Sequence, residues 1–246
     1  MGPDPADAMH PDQIVSLFDQ QAAGYDRQWS KTAAIRDCLY FLLDPMLAGL
    51  APDARILCVG AGTGQEIAHL ARGFPGWSFT VVEPSAAMLD ACRQRAQTGG
   101  FAARCRFHHG FLDSLPAGEP HDGATCFLVS QFIVDRGERV RFFAGIASRL
   151  RSGGLLASTD LASDIASPAY ETLLPAWLRM MASADVSPEA IERFRTAYST
   201  DVAVLPPSQV EAIITDGGFA TPARFFQAGL IHGWVSRRAQ GSGGQA

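Results

Sequence analysis

Two features of the chain have the residue types and spacing to do chemistry together. Residues 56–66, ILCVGAGTGQE, run an apolar stretch into Gly60-Ala61-Gly62-Thr63-Gly64 and then directly into an amphipathic segment. Glycines at such a junction let the chain turn sharply with positive φ, and a missing Cβ lets a ligand touch the backbone. A dinucleotide fingerprint GxGxxG needs its third glycine at position 65, but Gln65 stands there, so the loop is GxGxG and less suited to a pyrophosphate. The next apolar run, FTVVE, ends in Glu83, 19 residues beyond Gly64. That is about where an acid reaches a ribose diol; a carboxylate accepts from both hydroxyls and repels a 2′-phosphate. A solvated glutamate at a strand end is the plain alternative.

Other reactive residue types are scattered. Cys38, Cys58, Cys92, Cys105 and Cys126 show neither CxxC spacing nor a histidine at zinc-ligand spacing, and read as buried reduced thiols. His108 and His109 are adjacent in an expected strand, where neighbours point to opposite faces and cannot share one metal. His232 reads as a satisfied edge residue, and Arg237 and Arg238 as a solubilising end. The pairs Arg93/Arg95, Arg104/Arg106 and Arg149/Arg151 read as exposed faces of local elements, with no basic stripe interleaved with aromatics.

The elements that must position the glycine loop alternate along the chain. A short helix is expected from Asp12, with Ile14, Leu17 and Phe18, and a longer one over residues 32–50, with Ile35, Leu39, Leu42, Leu43, Met46 and Leu47 on one stripe. Strands are then expected at 55–59, 79–83, 104–108, 124–130 and 155–160, with helices at 65–72, 86–97 and 138–150. Strand–helix–strand repetition with near-continuous apolar strands means a doubly wound α/β sheet, mostly parallel. Helices follow at 168–182, 188–198 and 208–216, and two strands, 223–227 and 230–237, turn tightly at Ala228-Gly229 into an edge hairpin. One domain over 12–238 is expected, with a helical lid (12–50), a helical cap (161–218) and flexible ends at 1–11 and 239–246.

The series ILCVGAGTG, VVEPSAAML, HHGFLDSLP, GATCFLVSQF and LRSGGLL resembles the motif order of class I S-adenosylmethionine (SAM)-dependent methyltransferases, from about Asp12 to Arg238. The resemblance implies a Rossmann-like sheet of seven strands with the last antiparallel, and SAM as cofactor. Carried over residue by residue, Gly60, Gly62 and Gly64 would line the methionine part and Glu83 would hold the ribose. Pro84 and Met88 would flank the adenine, with Phe111 and Leu112 in the loop after strand three. Ser130 and Gln131 match positions near the transferred methyl, and Phe18 and Tyr25 match a lid segment over SAM. The chain departs from the pattern at Phe111, where an acid often stands with Asp113 coming two places later, and at Cys58, where Asp or Glu is common on strand one.

For the acceptor the residues expected to matter are Phe18, Tyr25, Tyr170, Arg179, Arg195 and Tyr198. The segment from Ile191 to Phe219, with Ser130-Gln131-Phe132, is also similar to the bacterial enzyme that makes carboxy-SAM for tRNA wobble-uridine modification. In that family an arginine at the position of Arg195 binds the cofactor's extra carboxylate. The expectation is methyl transfer by in-line displacement to a small, rather apolar molecule, with no catalytic residue or metal assigned. Alternatives are a SAM-consuming reaction without methylation, either carboxy-SAM formation or cyclisation of the SAM side chain to a cyclic amino acid plus methylthioadenosine, and a non-catalytic SAM-binding module. Charged residues make up only 18% and the formal charge is −5, a field that would not draw nucleic acid. The start MGPDPADAMHPD has neither the basic nor the apolar segment of a secretory signal, and Asp44-Pro45 interrupts the most apolar early run. A cytoplasmic protein, off the membrane and homodimeric, is expected.

Overall fold

The computed structural model describes residues 9–181 and 187–240. Of the ends expected to be loose, residues 1–8 and 241–246 lie outside the described residues, as does the last residue of the helix expected over 168–182. The described parts of those ends are tied down. Pro11 already opens a helix, Met9 donates its backbone N–H to Asp201 Oδ1 at 3.3 Å, and Ala239 donates to the carbonyl of Gly218 at 2.9 Å.

The chain begins with α1 (Pro11–Gln21), α2 (Tyr25–Gln28) and α3 (Ala33–Leu47). It then alternates: β1 (Arg55–Val59), α4 (Gln65–Gly73), β2 (Ser78–Glu83), α5 (Ala86–Thr98), β3 (Cys105–His109), β4 (His121–Phe127), α6 (Arg136–Arg149) and β5 (Leu150–Leu161). Helices α7 (Pro168–Met181), α8 (Pro188–Thr200) and α9 (Pro207–Asp216) precede β6 (Ala223–Ala228) and β7 (Ile231–Arg237). The seven strands form one sheet in the order β3-β2-β1-β4-β5-β7-β6, with β7 antiparallel to both neighbours. This is a doubly wound, Rossmann-like arrangement, and the hairpin closes one edge.

Each face of the sheet carries a core. Ile56, Cys58, Phe79 and Val81 pack with Leu43, Ile67, Leu89 and Trp177 on one side; Leu57, Val59, Val82 and Ala124 pack with Phe143, Ile146, Ile213 and Trp234 on the other. The alternation along β1 therefore feeds both layers, as a strand buried on two faces must. On α3, Leu39, Leu43 and Leu47 recur every four residues and are buried, each contributing roughly 1.5–3 kcal/mol.

The ends of α3 and β4, and the burial of the thiols, differ from the sequence reading for local reasons. Helix α3 stops at Leu47, where Ala48 bonds back to the Asp44 carbonyl, and Met46 faces outward rather than joining the stripe. Strand β4 ends at Phe127 instead of continuing to Ser130, because Leu128 takes φ +58° and its N–H turns to the carbonyl and hydroxyl of Thr159. Of the five thiols expected to be buried, Cys58, Cys92 and Cys126 are, Cys105 is partly so, and Cys38 is exposed on the outer side of α3.

Candidate functional site

The C-terminal ends of β1 to β5 bring together the segments that follow them, at the edge where open α/β sheets bind ligands. After β1 the glycine loop turns with φ of +66° at Gly60, +53° at Gly62 and +76° at Gly64. A Cβ at Gly60 would stand 2.3 Å from a Val129 methyl, and one at Gly64 would stand 2.4 Å from Cys92 Sγ, so both sites exclude a side chain. Gly62 is different: nothing lies within 4 Å of where its Cβ would be, so its backbone is presented to open space. A ligand can lie against it directly.

Glu83, at the end of β2, reaches across to this loop. Its Oε2 accepts from Gly62 N at 2.8 Å and its Oε1 from Ser85 N at 2.9 Å. The side chain is buried, and burial pushes its carboxyl above the usual range against the lowering effect of those two bonds. An ionised carboxylate offers about four acceptor positions, so two remain for a diol. Ser85 then caps α5 by accepting from Met88 N at 3.1 Å, and Met88 itself is buried. Phe111, in the loop after β3, is exposed, while the neighbouring Leu112 is buried.

The N-terminal helices are pinned onto both motifs by two carboxylates that sequence reasoning did not single out. Asp19 Oδ1 on α1 accepts from Ser85 Oγ at 2.6 Å and from Ala87 N at 3.1 Å; those bonds hold its carboxyl below the usual range. Asp26 Oδ1 on α2 accepts from Thr63 Oγ1 and Gln65 Nε2, both at 2.7 Å, while its Oδ2 pairs with Arg95. Burial pushes the Asp26 carboxyl up, but the bonds from Gln65, Thr63 and Arg95 outweigh it and hold it low. Arg95 also donates to the carbonyl of Thr63 at 2.8 Å.

Phe18 and Tyr25 meet in an aromatic roof. Their ring centroids lie 6.3 Å apart, Phe18 is 5.6 Å from Phe132 after β4, and Tyr25 is 6.0 Å from Trp29. Burial, with Glu83, Asp26 and Glu66 nearby, pushes the Tyr25 phenol up to about 12. It stays protonated and able to donate throughout the physiological range.

Ser130 and Gln131 follow β4 as expected, but their side chains turn inward. Ser130 Oγ donates to Asp160 Oδ2 at 2.7 Å and accepts from Arg139 Nε at 3.0 Å. Gln131 Oε1 accepts from Leu161 N at 2.7 Å. Asp160 and Arg139 are both fully buried, 3.2 Å apart, and Arg139 also donates to the Ala203 carbonyl at 3.2 Å. This network ties the turn after β4 to the Ala203 carbonyl and occupies both side chains, so any contact these two positions make near a transferred methyl would come from their backbone. The local strain is Leu128, whose left-handed φ a leucine adopts at a cost of about 1–2 kcal/mol.

Tyr170, Arg195 and Tyr198 make the contact between α7 and α8 instead of facing an open cleft. Arg195 binds Glu171 through two nitrogens, at 2.7 and 2.9 Å, and its guanidinium lies 5.7 Å from the buried Tyr170 ring. Tyr198 accepts from Trp177 Nε1 at 2.9 Å, and Arg179 is exposed. At the position where the similar family binds a cofactor carboxylate, Arg195 is paired with a carboxylate of the chain itself.

Glu66 is the residue most clearly missed. It lies in the first turn of α4, with Ile67 and Leu70 also buried, and burial raises its carboxyl to about 8, aided by Glu83. Where the resemblance led to an acid on β1, Cys58 has a thiol, and this neutral carboxylic acid stands within electrostatic reach of it. The available signal was a glutamate directly after the loop on the helix's apolar side.

Residues 56–154 match a family model described as a methyltransferase domain. The fatty-acid O-methyltransferase of Mycolicibacterium smegmatis is 29% identical over 130 residues, which is 53% of this chain and 43% of that protein. The chain thus spans less than half the length of that curated relative. Among solved structures, an O-methyltransferase family 2 protein from Planctomyces limnophilus in complex with apigenin superposes with a TM-score of 0.63 at 16% identity, covering 95% of this chain and 63% of the other. PigF with S-adenosylhomocysteine (SAH) gives 0.63 at 16% identity, covering 89% and 59%. At these identities the structures share the fold.

Proposed function

From the match of residues 56–154 to a methyltransferase domain, we propose that the chain is a class I SAM-dependent methyltransferase that transfers a methyl group from SAM to an oxygen of a small, largely apolar acceptor. The observation that carries this reading is Glu83 bridging Gly62 N and Ser85 N beside the open face of Gly62. These residues fit SAM: Glu83 would take the ribose diol, Gly60, Gly62 and Gly64 the methionine end, and Pro84, Met88, Phe111 and Leu112 the adenine. SAM brings an activated methyl on a good leaving group, so the chain's task is alignment and exclusion of water. Asp19 and Asp26 hold the N-terminal helices against both cofactor motifs, and the aromatic cluster of Phe18, Tyr25, Trp29 and Phe132 would help exclude water.

Oxygen as acceptor is supported by the M. smegmatis relative, a fatty-acid O-methyltransferase. A carboxylate acceptor is already ionised and needs no general base. Arg195, saturated by Glu171, gives no support to carboxy-SAM formation. We further propose that the protein works in the cytoplasm, as a homodimer, without nucleic acid; no helix among the described residues is long and apolar enough to cross a membrane. The test is mass spectrometry of SAM incubated with the protein and medium-chain fatty acids or phenols. SAH together with an acceptor 14 mass units heavier, the mass of an added CH₂, supports the reading; methylthioadenosine or carboxy-SAM in place of SAH would refute it.

A further inference from the structure

The opposite end of the sheet holds a cavity that the methyltransferase reading leaves without a task. Its volume is about 590 Å³, and it is framed by the N-terminal ends of the first four strands, the loop 115–120, and the start of β5. Arg55, Arg106, His121, Arg149, Arg151 and Arg238 line it. Since β1 runs from Arg55 at this end toward Gly60 at the other, about 16 Å of strand separates the cavity from the glycine loop.

The charges on this wall do not balance. Arg55 pairs with Glu119, and Arg151 lies 3.0 Å from Asp122. The remaining three guanidinium groups have no carboxylate partner. Arg149 donates to the carbonyls of Gly145 and Leu115, both at 3.1 Å, and its Nε is buried with no acceptor. Arg238 donates to the Leu150 carbonyl, and Arg106 has no partner among the described residues. His121 adds no charge: its two nitrogens face the Arg149 carbonyl and Thr80 Oγ1, and burial favours the neutral ring. Three uncompensated positive charges thus converge on one hollow in a chain of net charge −5. The residues come from β3, α6 and the end of β7, so separate exposed faces of the sequence become one site in the fold.

We infer that this arginine-lined cavity is a second binding site, for a small di- or polyanionic molecule of the phosphorylated-metabolite class. Guanidinium groups match phosphate oxygens in fork geometry, and a hollow of this volume suits a small molecule rather than an extended polymer. An anion here relieves the repulsion among Arg106, Arg149 and Arg238 and offers an acceptor to a wall that has donors in excess.

The experiment is calorimetric titration of inorganic pyrophosphate into the whole protein preincubated with excess SAH, so that the glycine-loop end is occupied. The wild type should bind one pyrophosphate saturably. Arg106→Glu reverses the exposed, partnerless charge and should weaken binding about tenfold or more. Arg106→Lys should recover part of it. Arg224→Glu, the same charge change on the exposed edge strand β6, should leave it unaltered. Circular dichroism and a thermal melt establish that each variant is folded. Absence of saturable binding in the millimolar range, or equal weakening by Arg106→Glu and Arg224→Glu, would overturn the inference, the latter showing only diffuse attraction.

Discussion

Glu66 offers the sharpest quantitative consequence of the packing beneath the glycine loop. Its carboxyl rises from 4.5 to about 8 on folding, chiefly because burial disfavours the charged form. Between those values the folded protein holds a proton that the unfolded chain releases. The contribution is therefore full below pH 4.5 and lost as pH rises through about 8. The slope is about 1.4 kcal/mol per pH unit, so the whole shift corresponds to about 5 kcal/mol, and the interval from about pH 5.5 to 7.5 to about 3 kcal/mol. Glu66→Gln keeps the shape and stays neutral, so the variant should match the wild type near pH 5 and exceed it increasingly above. Urea melts read by tryptophan fluorescence across this range supply the comparison, and differencing removes the titration of Asp160, His121 and His232, which are common to both proteins. Parallel stability curves for the two proteins from pH 5 to 8 would refute a proton held at Glu66.

Other consequences are simpler to state. Gly64→Ala forces a Cβ to 2.4 Å from Cys92 Sγ and should destabilise by about 2 kcal/mol or more, whereas Gly62→Ala meets only the backbone cost of about 1 kcal/mol and should instead lose SAH affinity; melts and calorimetry separate the two. Arg139→Met leaves Asp160 charged and unpaired in the interior and should cost about 3–5 kcal/mol, while a double variant with Asp160→Leu should recover part of it. Asp26→Ala removes the acceptor for Thr63, Gln65 and Arg95, and should speed proteolytic cleavage within residues 11–32 and accelerate SAH release. No such change in either rate would mean that Asp26 does not hold the helices.

The fold was legible because both of its periodicities are strong. The strands β1 and β2 are apolar on both faces, α3 repeats leucine every four residues, and the Ala228-Gly229 turn with its positive φ at Gly229 marks the edge hairpin. The glycine loop and Glu83 were legible for a related reason: a backbone that must approach a ligand leaves a residue-type signature. What stayed hidden depends on tertiary direction. Nothing in a lone Asp19 or Asp26 says that it will bond to a chain turn more than 35 residues away. Arg195 and Tyr198 looked available because helical position does not reveal that Glu171 and Trp177 face them from α7. Ser130 and Gln131 turned inward because Leu128 reverses the backbone, a conformation leucine does not advertise. Arg106, Arg149 and Arg238 belong to elements far apart in the chain and meet only when the sheet assembles.

The central claim is that the glycine loop and Glu83 together hold SAM. The most direct measurement is isothermal titration of SAH into the wild type and Glu83→Ala. The wild type should bind one SAH with micromolar affinity or better. The variant, folded by circular dichroism, should bind about tenfold or more weakly, since it loses both the carboxylate proposed to take the diol and the acceptor that joins Gly62 N to Ser85 N. Equal affinity in the two proteins, or no binding by the wild type, would contradict it.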